Sequence, residues 1–141
     1  MNKLVLMLAR ESGQPLASLR TALAGVAEQC MREVVGLARV RVGLRVAPNP
    51  VRLIPHAKHV SARTFDAIVD VSTCIESRGT LERALEIIGH GIEKLVNRAD
   101  TAAVAGVGHP ITGGTGPCLL AYAIRRPAEL SRDEWSQHWL T

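Results

Sequence analysis

The spacing of apolar positions switches along this chain between steps of three or four and steps of two, which predicts alternating helices and strands. Leu4 to Ala9 is a short apolar run stopped by Arg10 and Glu11, read as a first strand. Gly13-Gln14-Pro15 then opens a helix, with Pro15 at its first position, where the missing N–H costs nothing. Leu16, Leu19, Leu23, Val26 and Cys30 form its apolar stripe, and the helix ends near Gly36. From Ala38 to Ala47 the period drops to two. Val40, Val42, Leu44 and Val46 alternate with Arg39, Arg41, Gly43 and Arg45 until Pro48 and Pro50 end the strand.

Phe65 to Ile75 alternates again, with Phe65, Ala67, Val69 and Val71 on one side and Asp66, Ile68, Asp70 and Ser72 on the other. A second helix is expected from Gly79-Thr80 to about Asn97, capped by Thr80 and buried along Leu81, Leu85, Ile88, Ile92 and Leu95. Ala102 to Val107 is a strand of small residues. The order is strand, helix, strand, strand, helix, strand. Such a split β-α-β unit, βαββαβ, gives an α+β fold in which one antiparallel sheet carries both helices on one face. The core should then contain Val40, Val42, Leu44, Val46, Val69, Val71, Leu19, Leu23, Leu85 and Ile88, with the arginines between them facing away.

Composition narrows the function classes. The 141 residues are 47% hydrophobic and 21% charged, which suits a packed domain rather than disorder. A net charge of +4 raises the question of nucleic acid, but the chain has only four aromatics, and Tyr122, Trp135 and Trp139 all lie near its end. A base-stacking platform is therefore missing from the main body, and no nucleic-acid partner is expected. The N-terminal apolar run is too short for a signal peptide or a membrane span. The expected compartment is cytoplasmic, with no membrane partner. Cys30, Cys74 and Cys118 have no metal-site spacing and fall inside element patterns, so reduced, packed thiols are expected.

Residues 108–117, Gly108-His109-Pro110-Ile111-Thr112-Gly113-Gly114-Thr115-Gly116-Pro117, form a Gly/Pro-rich joint. A phosphate-cradling loop opens directly into a helix; this one opens into the strand-like run from Cys118, so it is read as a linker. The tail then passes through Arg125-Arg126-Pro127 to Leu130-Ser131-Arg132-Asp133-Glu134-Trp135-Ser136-Gln137-His138-Trp139. Ser131 and Glu134 have capping-box spacing. Trp135 and Trp139 fall on one helical face.

This tail resembles the opening of an EthD-type module, and residues 1–107 resemble that family in element order. The expected organisation is an EthD-type module at 1–107, the linker at 108–117, and at 118–141 the strand and helix start of a second, incomplete module. The resemblance implies a ferredoxin-like fold of the dimeric α/β-barrel type, in which two sheets pack through their open faces and enclose a ligand. The partner sheet would come from a second chain in a homodimer or from a tandem module. Cys118 to Arg125 is expected near the contact.

Two readings of the charged rows follow. On the open face Arg39, Arg41 and Arg45 should lie across from Asp66 and Asp70, and opposite charges there form a structural salt-bridge ladder. Within the barrel that the resemblance implies, the same arginines, with His109 at the cavity mouth, would bind a carboxylate or enolate by charge-assisted bonds. His56 and His59, in the long connection from Pro48 to Thr64, and Asp66 and Asp70 are the candidate acid–base groups. His56 and His59 lack a third ligand, so no metal is expected. The implied function is that of a cofactor-independent protein acting by proton transfer on a hydrophobic, acidic or enolisable, polyketide-like small molecule. The alternative is a non-catalytic dimerising or accessory ligand-binding module.

Overall fold

The computed structural model describes residues 2–45, 65–74, 77–108 and 128–140. Two compact units divide the chain, Met1–Gly108 and His109–Thr141. The first contains β1 (Asn2–Leu8), α1 (Leu16–Glu33), β2 (Leu37–Leu44), β3 (Ala67–Thr73), α2 (Arg78–Ile92) and β4 (Ala102–Val107). The strands form one antiparallel sheet in the order β2-β3-β1-β4.

Alternation decides what each face of the sheet meets. Leu4, Leu6 and Leu8 of β1 and Ala67, Val69 and Val71 of β3 are buried with Leu19, Leu23, Val26 and Cys30 of α1 and Leu81, Ala84, Ile87, Ile88 and Ile92 of α2. Both helices therefore cover one face, and burial of these side chains, about 1.5–3 kcal/mol for each large aliphatic, is the main force holding them there. In β2 the pairings Val40↔Val71 and Val42↔Val69 put the valines on the helix side and the arginines opposite, in the expected register. An irregularity between Leu37 and Arg39 inserts Ala38. This bulge lets Leu37 and Val40, three apart, both pack against the core.

Several expectations are corrected at element ends. Pro15 is the N-cap of α1 rather than its first helical residue. The N-cap of α2 is Ser77, whose Oγ accepts from the Thr80 amide at 3.4 Å, and the helix ends at Ile92 instead of Asn97. Leu85 is 40% exposed, and Ala84 takes the inward position. Ala84 lies where α2 approaches α1, its carbonyl accepting from Cys30 Sγ at 3.8 Å, and a small residue suits that approach. Val42 is 36% exposed because β2 is an edge strand, and Leu44 is only partly buried. Val46 lies outside the described residues, as do Cys118 to Arg125.

In the second unit α3 spans Arg132–Leu140. Its capping box forms as read: Ser131 N donates to Glu134 Oε2 at 2.8 Å, and Glu134 N donates to Ser131 Oγ at 3.2 Å. Those bonds hold the Glu134 carboxyl below its usual range.

Candidate functional site

The sheet face turned away from the helices is built in rows. Register places Arg39, Ser72, Lys3 and Gly106 in one row, Arg41, Asp70, Val5 and Val104 in the next, and Gly43, Ile68, Met7 and Ala102 in a third. One end of the face is ionic and the middle is apolar. A Cβ on Gly43 would lie 2.9 Å from Ile68 Cγ2, so glycine there lets the third row close up.

Asp70 is the centre of the ionic end. It is only 5% exposed, and its Oδ2 lies 2.9 Å from Arg41 Nη2 and 3.3 Å from Lys3 Nζ. Burial pushes the Asp70 carboxyl upward, but the Arg41 hydrogen bond and the Lys3 charge outweigh it and hold the group below the usual range. Asp70 is thus a carboxylate at neutral pH. Among the described residues its other oxygen, Oδ1, has no hydrogen-bond partner, and neither has the buried Ser72 Oγ. Asp66 is differently placed: Oδ2 accepts from the Arg10 amide at 2.9 Å and Oδ1 lies 3.2 Å from Arg45 Nη2. Both of its oxygens are engaged in fixing the end of β1 and β2.

Arg39 is exposed and makes no ion pair among the described residues. The expected ladder therefore consists of Arg41–Asp70 and Arg45–Asp66, with Arg39 left over. An open depression of about 450 Å³ lies elsewhere, lined by Arg10 to Pro15 and Asp66. The Arg10 guanidinium there is already bound to Gln14 O at 2.8 Å, which makes it a turn contact rather than a free cation.

No family model matches the chain, and no curated protein matches it. Solved structures do. A Bacteroides fragilis protein described as dimeric, ferredoxin-like and of unknown function superposes with a TM-score of 0.50 at 10% identity, covering 74% of this chain and 93% of that one. A Nitrosomonas europaea protein, provisionally named an antibiotic biosynthesis monooxygenase, gives 0.52 at 12% identity over 77% and 98%. An EthD family protein from Bacillus halodurans gives 0.51 at 13% over 77% and 99%. The fold is ferredoxin-like. At such identities the likeness carries the fold alone.

On this ferredoxin-like sheet the structure brings together Arg39, Arg41 and Asp70, and separately Arg45 and Asp66. His56, His59 and His109 lie outside the described residues. Two members of the cluster were not singled out from sequence. Lys3 has the opposite parity to Leu4, Leu6 and Leu8, a signal that puts it on the open face, but only the strand order shows that β1 lies beside β3. Ser72 was placed on the correct side without a role, because nothing in a sequence marks a hydroxyl as unpartnered. Among the described residues no three His, Cys, Asp or Glu side chains group as a metal site, and no helix is long and apolar enough to cross a membrane.

Proposed function

We propose that the open face binds a hydrophobic, acidic small molecule, and that two copies of the chain pair through this face to enclose it. The observation that carries this reading is the buried carboxylate of Asp70, held by Lys3 and Arg41 on the side of the sheet turned away from α1 and α2. A purely solvated face would leave such a group exposed. Four cations, Lys3, Arg39, Arg41 and Arg45, share this face with two carboxylates, Asp66 and Asp70, and the surplus positive charge suits an anion. Val5, Ile68 and Val104 offer apolar surface beside it.

Binding is better supported than base catalysis by the aspartates. A general base works best with a pKa near the working pH, and Asp70 is held well away from that by its cations. In the catalytic form of the proposal, proton transfer falls to His56 or His59, the enolate being held by the arginines. The accessory, non-catalytic form uses the same face.

Arg39→Ala is the cleanest test, since Arg39 makes no ion pair among the described residues. Titration calorimetry with aromatic carboxylates should show affinity falling by about 1.5–3 kcal/mol, the value of a hydrogen bond to a charged group. Equal affinity of Arg39→Ala and the parent would remove Arg39 from the site; no binding by the parent would remove the function.

A further inference from the structure

The open face carries more positive charge than its own carboxylates neutralise. Arg45 is matched by Asp66, while Lys3 and Arg41 divide the single charge of Asp70. Arg39, two residues from Arg41 on the same side of β2, is exposed and has no ion pair among the described residues. Two positive charges are left over, and both belong to the end of the face around Asp70.

The layering there decides which groups a ligand meets. Side-chain exposure is 44% for Arg41 and 29% for Lys3 but 7% for Asp70, so the carboxylate lies beneath and the cations are turned outward. A guanidinium has five N–H donors and an ammonium three, and among the described residues each cation spends one of them on Asp70. Because Arg41 Nη2 and Lys3 Nζ reach the same oxygen, Oδ2, at 2.9 and 3.3 Å, they stand close enough for the two oxygens of one further carboxylate to accept from both. Asp70 is what lets two like charges share that place. The stem of Lys3 is fixed as well. It runs against Gly108, where a Cβ would collide with its Cδ and Cε. A cation held by stem and tip gives up little freedom when a ligand binds.

We propose that the open face has two anion stations, Arg39 and the Lys3–Arg41 pair, and that its ligand is a dicarboxylate rather than a monocarboxylate. The inference rests on the open face being the ligand site, as proposed above, and adds the charge of the substrate. Residues two apart on a strand have Cα atoms about 6.6 Å apart, so the stations on Arg39 and Arg41 lie within the span of two carboxylates on one small ring.

The test is calorimetric, using the full chain with isophthalate and 3-hydroxybenzoate, which carry a second carboxylate and a neutral hydroxyl at the same ring position. Isophthalate should bind about tenfold more tightly, the value of one further hydrogen bond to a charged group. Lys3→Met keeps the length of the stem but removes its charge, and should cut that preference to about threefold or less; Lys3→Arg should keep it. Lys94→Met, which removes the same charge from the exposed turn after α2, should leave the preference whole. Circular dichroism checks the fold of each variant, and if Lys3→Met folds poorly, Gly108→Ala, which displaces the Lys3 stem, takes its place. Equal affinities of the two acids for the parent chain would overturn the inference while leaving the binding face intact. A preference that survives loss or displacement of Lys3, or that falls as far in Lys94→Met, would overturn it as well. If neither acid binds, the binding face itself falls.

Discussion

Asp70 ties the charge state of one residue to the stability of the sheet. Its carboxyl is lower in the folded chain than the roughly 3.9 of an unfolded aspartate. The pairing with Arg41 and Lys3 therefore contributes fully above that value and is lost as pH falls through the depressed folded one. Urea unfolding midpoints should decline below about pH 4, and less steeply in Asp70→Asn, which carries no titratable group at this position. Parallel declines in the two proteins would show that Asp70 contributes nothing to the acid limb. At this scale the sequence was most informative where parity alone decides. Arg41 and Asp70 fall on the open face by counting in twos, and their opposition needed only a hairpin-like pairing of β2 and β3. Lys3 needed the sheet order, and the unpartnered Oδ1 needed the coordinates of both cations.

The elements themselves were legible because hydrophobic period is a direct consequence of which face is buried, and each strand and helix of the first unit lies within a few residues of its expected span. The failures came from contacts between elements. Leu85 looks like a core residue by size, but the helix–helix approach admits only Ala84, and size along one helix carries no record of how near another lies. Gly91 makes the same point. A Cβ there would collide with the Val26 side chain of α1, whereas Gly25 has open space around it. Gly91→Ala should destabilise the fold, since overpacking costs about 1–3 kcal/mol against a helix-propensity gain of about 1 kcal/mol. Gly25→Ala, with no contact to disturb, should stabilise by about 0.5–1 kcal/mol. Thermal or urea unfolding of the two variants checks the pair, and a stabilised Gly91→Ala would mean that α1 and α2 have slack at their crossing.

For the whole molecule, the sheet face turned away from α1 and α2 is the question. Val104 and Val107 of the edge strand β4 are 55% and 60% exposed, one on each side of the sheet, and the open face carries further apolar surface at Val5 and Ile68. On the open face exposed Val104 adjoins Val5 in register, and apolar surface there is what a second copy would cover. Light scattering at micromolar concentration should give twice the chain mass, and a strict monomer would restrict the proposal to ligand binding by a single sheet. The most direct test asks which face the ligand touches. An isotope-labelled chain titrated with 3-hydroxybenzoate should show amide shift changes at Lys3, Arg39, Arg41, Asp70 and Ser72, with the solvent-facing residues of α1 and α2 unmoved; changes confined to the helices or to the Arg10–Pro15 turn, with β1, β2 and β3 silent, would contradict the account.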